Sequence, residues 1–495
     1  VARFPLLGGA YAARSSIANA QRCVNLYPEL NRKDAPFPFT LYQRPGLLPK
    51  VSPGVAARGR GLYRASNGAA YAAIGDKIYY VNPAFGLVLL GSITALTNTP
   101  VSFTDNGQYI VIFDGSPNQW SIEMLTNTFA PLVDASGNMT GATRGDTVDT
   151  FIIWNRPDTR QFGSTLSNLL TTNGLSFAAK ATYPDKLKTL IVRRTEIVLL
   201  GDLKGEIWYN VGGPIFPFAR LPGSYVEYGI AAPYSVAAND ISVFWLSKSL
   251  EGQGMILKLR GYEVTRISNH ALEFAISQMS DISDAVGYCY QQGGHLFYVI
   301  HFPTGDQTWV WDESIGDPML GWHQEAWTDS NGILHRHRGN AFALVNGLPC
   351  TIDWETGTIY HMDLNTFTDT VSATVYDISF IRTFPQVTQV ENERGELIDL
   401  EEKSATFDKF VAYLECGNVN AAIANGGIGL IWSQDGGRTY GQTVLQSAGL
   451  VGEYRTQPAW AGLGLGKNTV FELRHSIPGA AALNGAFLHG RVNEQ

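Results

Sequence analysis

The sequence predicts an all-β protein. We expect a β-propeller of six or seven blades over 58–370, preceded by an extended proline-rich N-terminal arm (1–57). A connector with an acidic loop (371–403) leads to a C-terminal β-sandwich or jelly-roll-like domain (404–495). Three observations carry this expectation. Of the 495 residues, 52 are glycine and 12% are aromatic, while only 16% are charged. That composition suits many short strands joined by turns and does not suit long helices. Strong apolar strands begin near residues 109, 151, 197, 242, 297 and 342. Steps in the forties fit four-stranded blades, whereas a long sandwich series steps every 8–12 residues with no longer period. Tight-turn pairs such as Asn106-Gly107, Gly293-Gly294 and Asn346-Gly347 punctuate the strands and supply the positive φ values that hairpins need. A single core rarely grows past about 250–300 residues, so a chain of this length implies several domains or one large closed architecture.

The arm carries prolines at 5, 28, 36, 38, 45, 49 and 53. Proline removes a backbone donor and turns its predecessor away from helix, so the arm is expected to wrap another surface. Within the propeller one helix stands out. Ser268-Asn269 offers a cap, and Ala271, Leu272, Ala275, Ile276 and Met279 follow at helical spacing. It falls where the longest step occurs and reads as an insertion between blades. In the connector, Glu391, Glu393, Glu396, Asp399, Glu401 and Glu402 face only Arg394 and Lys403, which reads as a solvated loop. Beyond it, strands are expected at 407–414, 429–433, 443–447, 452–460, 470–475 and 486–490.

The charge balance is 36 basic against 44 acidic residues, net −8. A protein that grips a nucleic-acid backbone needs a basic face, and the overall balance argues against one. Apolar runs are too short and too interrupted for a membrane-spanning helix. The start, Val1-Ala2-Arg3-Phe4, lacks a charged segment followed by an apolar run, so no signal peptide is expected. The four cysteines, Cys23, Cys289, Cys350 and Cys416, lie far apart and read as buried reduced thiols.

Few motifs point to chemistry. Ser433-Gln434-Asp435-Gly436-Gly437-Arg438-Thr439-Tyr440 fits an Asp-box turn. Ser433, Asp435, Gly437, Thr439 and Tyr440 are then structural, with the carboxylate accepting from turn amides. Asp boxes occur in sialidases, which raises the alternative of a propeller glycosidase. Such a site needs clustered arginines and a tyrosine nucleophile. Arg193, Arg194, Arg266, Tyr288 and Tyr290 have the right types, but no spacing singles them out. His335 and His337 share a strand face without an evident third metal ligand. Trp309, Trp311, Trp322 and Trp327 read as packing between blades. The glycine clusters at 252–254, 426–429 and 462–466 read as turns or bulges. No nucleophile elbow, zinc-protease or phosphate-loop motif is present. We therefore expect no catalytic, cofactor or metal residues.

Several stretches resemble the packaged-DNA stabilisation or tail-hub (tail nozzle-like) proteins of short-tailed phages, the podoviruses. The N-terminal stretches are Phe4-Pro5-Leu6-Leu7-Gly8-Gly9, Gln21-Arg22-Cys23-Val24-Asn25-Leu26-Tyr27-Pro28-Glu29 and Arg44-Pro45-Gly46-Leu47. The middle ones are Gly261-Tyr262, Arg266-Ile267-Ser268, His270-Ala271, Glu273, Gly294-His295, Phe302-Pro303, Thr308-Trp309 and Trp322-His323. The Asp box, Gly452-Glu453-Tyr454 and Phe471-Glu472-Leu473 complete the series in the same order. The resemblance implies a virion tail protein made in the host bacterial cytoplasm. It implies a homo-oligomeric ring, usually a hexamer, below the portal and head-to-tail adaptor. Such a ring closes the channel over packaged DNA and holds tail fibres or spikes and a plug or needle. DNA passes through without specific binding, and no membrane partner is implied. Phe4, Arg22, Asn25, Leu26, Tyr27 and Pro28 are then candidates for an assembly arm that clamps a partner. The alternatives are the glycosidase and a glycan-binding receptor-recognition tail protein.

Overall fold

The computed structural model describes residues 2–4, 9–15, 19–94, 99–134, 137–213, 215–248, 254–391, 397–400, 403–415, 427–475 and 479–493. Part of the acidic connector, Cys416, Gly252, Gln253 and Gly426 lie outside the described residues, as do Pro5-Leu6-Leu7-Gly8. The protein is all-β among the described residues, with one α-helix.

Five four-stranded antiparallel sheets follow one another from Gly59–Arg64 to Glu263–Arg266. Each is a meander in which neighbours in sequence are neighbours in the sheet. A sixth unit begins at Val286–Gln292 and a seventh at Gly339–Val345, and both continue into larger sheets. In Leu187–Arg193 five of seven residues are buried, and in Tyr109–Phe113 four of five are. Strands covered on both faces read as near-continuous apolar runs.

The apolar clusters lie between successive units. Val111 and Phe113 of the second unit pack with Ile152 and Trp154 of the third. Ile153 and Phe162 of the third pack with Leu190 and Ile197 of the fourth. Val345, Cys350 and Ile352 of the seventh pack with Leu62, Ala70 and Ala72 of the first, so the series is cyclic. Polar ties cross the same joints. Asn340 Nδ2 donates to Gly59 O at 2.9 Å, and Val192 N donates to Asp146 Oδ2 at 2.7 Å. Close approach fixes some small residues: a Cβ on Gly145 would sit 2.1 Å from the Phe113 ring.

The fourth strand of the seventh unit comes from the N-terminal segment. Gly46–Val51 pairs antiparallel with Ile359–Asp363. Leu26–Leu30 and Phe39–Gln43 form a hairpin that joins Ala482–Val492 in a sheet with Ala405–Leu414 and Ala459–Gly466. Cys23–Val24 lies between Trp322–Gln324 of the sixth unit and Phe380–Thr383, which pairs in turn with Val470–His475. The arm expected to wrap a separate surface is thus spent inside its own chain. Its prolines leave single edges paired, and those edges are completed by distant strands.

The helix lies at His270–Ser277, between the fifth and sixth units. Asn269 caps it by accepting from Leu272 N at 2.9 Å, while Ser268 Oγ donates to the buried Glu273. In the C-terminal region the strand expected at 452–460 lies instead at Ala459–Gly466. Gly449 and Gly452 have φ of +79° and +97°, and the intervening turn consumes the earlier residues. Gly462 and Gly464 sit within that strand at positive φ, a local irregularity that opposes a register shift in Ala405–Leu414.

Deleting residues 1–51 strips the strand Gly46–Val51, the bridging strand Cys23–Val24 and the hairpin Leu26–Leu30 and Phe39–Gln43. We expect the truncated chain to lose its cooperative thermal transition by circular dichroism. A transition at the full-length temperature overturns this account.

Candidate functional site

The residues predicted as an assembly arm converge on a buried polar node. Asn25 takes φ of +59°, a left-handed conformation that asparagine tolerates better than most residues. That bend lets its side chain accept from Arg44 Nε at 2.9 Å and from Ala326 N at 2.8 Å. Its amide donates to Ser379 O at 2.6 Å. Arg44 then forks onto Asp369 at 3.1 and 2.5 Å and also donates to Ala326 O and Pro45 O, both at 3.0 Å. Arg44 and Asp369 are 1% and 2% exposed, so the pair is wholly desolvated. One node thereby joins the N-terminal segment, the strand after the seventh unit, the hairpin after the sixth and the connector.

Glu325 is buried beside this node, and burial pushes its carboxyl up to about 7 despite the opposing charge of Arg44. Leu26 is fully buried. Tyr27 packs edge-on against His295 and Phe297, and burial pushes its phenol up to about 12. Pro28 lies in the strand Leu26–Leu30. Arg22 is half-buried along a cleft of about 630 Å³ that Arg474 and His475 also line. Phe4 pairs through its backbone with Ala486; its side chain lies outside the described residues. Asn25 and Leu26 are therefore covered by their own chain.

The Asp-box residues form the turn after Gly427–Ser433. Asp435 accepts from Ser433 Oγ at 2.6 Å, from Arg438 N and Thr439 N at 3.0 and 2.9 Å, and from Thr439 Oγ1 at 2.7 Å. These bonds hold its carboxyl well below the usual range. Gly437 takes φ of +87° and donates to Ser433 Oγ. Tyr440 is half-buried. The arrangement uses the whole acceptor capacity of Asp435 inside the turn.

The other candidates do not converge. Arg193 pairs with Glu196, Arg194 donates to Asp240 O, and Arg266 grips Glu273. Tyr288 and Tyr290 are buried between the sixth and seventh units. His335 pairs with Asp306 at 2.7 Å, whereas His337 is buried and stacks on His301. No cluster of metal-binding residues occurs among the described residues. Trp309, Trp311 and Trp322 are buried, and Trp322 Nε1 donates to Ile267 O at 2.7 Å. Trp327 is half-buried beside Tyr376 and under the Arg338 guanidinium. Cys23 and Cys350 are buried and Cys289 half-buried, each unpaired.

Sequence reasoning missed several buried charges. Arg338 forks onto Asp353 at 2.9 and 2.9 Å, adds Glu355 at 2.7 Å, and lies over the Trp354 ring. Lys180 pairs with Asp185, and Arg382 donates to Gln21 Oε1 at 2.7 Å. These partners are far apart in sequence or sit in unremarkable turns, so no local pattern marks them.

Cyclic packing of four-stranded meanders, tied by buried polar nodes, defines a β-propeller protein. A family model described as "Bacteriophage P22 Gp10, beta-propeller" matches residues 2–367. The chain belongs to this family of phage stabilisation proteins. The match spans the N-terminal segment and all seven units and ends just after the last of them. A search of curated proteins finds no match. Among solved structures, the computationally designed Ika8 protein aligns at 11% identity and a TM-score of 0.36, covering 64% of this chain and 99% of that one.

Two outcomes follow from these buried groups. Asp369→Asn leaves Arg44 buried without its counter-charge. Breaking such a pair costs about 3–5 kcal/mol, so the melting temperature falls sharply; an unchanged melting temperature overturns the node's role. Burial also lowers His301 and His337 well below 6.5, His323 to about 4 and His475 to about 3. Each is neutral when folded but protonates when unfolded. Their stabilisation is therefore present above pH 6.5 and lost as pH falls toward 4 and 3. For His323 alone this reaches on the order of 3 kcal/mol. Glu325 works in the opposite sense, its share being lost as pH rises through about 7. Hydrogen bonding to Asp312 raises His295, which also opposes acid loss. Four histidines outweigh these two groups, so a melting-temperature profile declines steadily from pH 6.5 to 4. A flat profile contradicts this.

Proposed function

We propose that the chain is a tail-hub protein of a short-tailed phage virion. Copies form a ring, a hexamer in this reading, below the portal and its adaptor. The ring closes the channel, stabilises the packaged DNA, forms part of the ejection conduit and carries tail fibres or spikes and a plug or needle. The observation that carries this reading is the family match over residues 2–367. It is supported by the ordered motifs, which run beyond that match through the Asp box to Phe471-Glu472-Leu473. We read the body as a seven-bladed propeller closed by Gly46–Val51, because the apolar clusters run cyclically from the seventh unit to the first. We read the C-terminal region as a β-sandwich completed by the N-terminal hairpin, because Phe410 and Trp460 of one sheet share a core with Leu430 and Phe471 of the other.

The role is architectural and needs no active site. With a net charge of −8 per chain, a ring is strongly acidic. A channel wall of that sign repels phosphates and lets DNA slide. The partner-binding role moves from the N-terminal segment to exposed features such as Val444, Leu445, Val451 and Tyr454. The glycosidase alternative has no assembled arginine–tyrosine site behind it among the described residues.

Immunogold labelling of virions of the source phage, with antibody raised against this chain, tests the assignment. Label at one vertex, on the short tail, is the expected result. Particles without label overturn the hub.

A further inference from the structure

The first strands of all seven units surround an axial cavity of about 460 Å³. Two arginines line it. Arg60, in the first unit, is held by neutral acceptors: Nε and a terminal nitrogen donate to Thr99 O and Gly75 O at 2.8 and 3.0 Å, and the other terminal nitrogen reaches Thr99 Oγ1 at 3.2 Å. No acid among the described residues accepts from it. Arg144, at the entry to the third unit, is half-buried, and its guanidinium has no hydrogen-bond or ion-pair partner among the described residues. Tyr234, in the turn Pro233–Ser235 before the fifth unit, also lines the cavity, and its hydroxyl has no hydrogen-bond partner among the described residues.

Asp146 is the one acid in the described lining, and its two oxygens accept from Thr147 N at 2.8 Å and Val192 N at 2.7 Å. Much of its charge is therefore engaged by backbone amides, although it lies within electrostatic range of Arg144 and partly offsets that arginine's burial. Asp114 and Asp76 lie within electrostatic range of Arg60 but outside the lining. Burial pushes the Tyr234 phenol up to about 12 while Arg60 and Arg144 both act against the rise, so the two guanidiniums and the phenol share one electrostatic neighbourhood. Burial lowers both arginines as well. An unpaired buried charge is costly, and a cavity of this size is typical of small-ligand sites.

We propose that this axial cavity binds a small oxyanion-headed molecule, phosphate or carboxylate, on Arg144 and the Tyr234 hydroxyl, with Arg60 supplying the second positive charge. The guanidinium fork matches two oxygens of either head group, and the low dielectric of the cavity strengthens the contact. The first strands of all seven units border this cavity, so an anion here adds a counter-charge shared by the guanidiniums of the first and third units.

The test is isothermal titration calorimetry of the full chain with inorganic phosphate and, separately, citrate, against chloride at matched ionic strength. Thermal melts run in the same buffers. Saturable heat with phosphate, citrate or both is expected, together with a rise in melting temperature. Phosphate alone assigns a phosphoryl head, and citrate alone a carboxylate. Arg144→Gln should weaken binding about tenfold or more, the worth of one charge-assisted contact. Its ligand-free melting temperature should match or exceed that of the parent, because an unpaired charge is removed. Tyr234→Phe, which deletes one hydroxyl, should weaken binding several-fold and serves where Arg144→Gln folds poorly. No heat above chloride in the parent overturns the proposal, as does undiminished binding in both variants.

Discussion

The Arg44–Asp369 pair, braced by Asn25, is the contact on which the architecture depends. It stands where four stretches of chain meet that no sheet joins completely: the N-terminal segment, the hairpin after the sixth unit, the strand after the seventh, and the connector. A two-residue strand at Cys23–Val24 has only a single parallel bridge to Gln324, too little to hold a junction by itself. Immediately beside it Asn25 makes three side-chain bonds, one of them to Arg44, and Arg44 adds four more polar contacts with its surroundings. A buried ion pair is poor evidence of net stability, since desolvation offsets much of the attraction. Its contribution here is specificity. Only one arrangement of the four segments satisfies every donor on a guanidinium that is 1% exposed.

The same logic recurs at other joints. Arg338 forks onto Asp353, Arg382 reaches back to the N-terminal segment, and Lys180 meets Asp185. In each case apolar packing between units supplies the bulk of the burial, while a saturated charge fixes the register. Apolar sheet faces are interchangeable within about a kilocalorie when volume is kept. Seven similar units could pair in wrong orders, and charged ties that fit one neighbour penalise the alternatives by leaving a buried group unpaired.

The fold class was legible because it is written in local patterns. The second strands of the units, Tyr109–Phe113, Phe151–Asn155, Glu196–Gly201 and Ser242–Lys248, begin at or within a residue of the positions that periodicity marks. The helix at His270–Ser277 and its cap were legible for the same reason. What was not legible is everything set by long-range pairing. Prolines at 28, 45 and 49 argue correctly against a self-contained N-terminal domain, yet nothing local says that Gly46–Val51 pairs with residues three hundred positions away. Arg44 has no sequence neighbour that marks it as buried, and Asp369 sits in an ordinary polar stretch. Arg144 is equally silent, since a guanidinium facing an axial cavity differs from a surface arginine only through strands contributed by every unit.

The N-terminal strands also connect the propeller to the C-terminal region. The sheet that begins with the sixth unit runs through Cys23–Val24 and Phe380–Thr383 to Val470–His475 and ends at Val444–Ser447. Continuous backbone hydrogen bonding therefore links a central blade to the far edge of the C-terminal region. The N-terminal hairpin joins the sheet of Ala405–Leu414, Ala459–Gly466 and Ala482–Val492, so that sheet too holds strands that leave directly for the propeller. A load applied at the C-terminal edge is carried by ladders and not by a flexible linker. Its weakest point is the short Cys23–Val24 strand, beside the Asn25 node. The junction between the two regions is thus tied by one left-handed asparagine and one buried arginine, at the place where the ladder is thinnest.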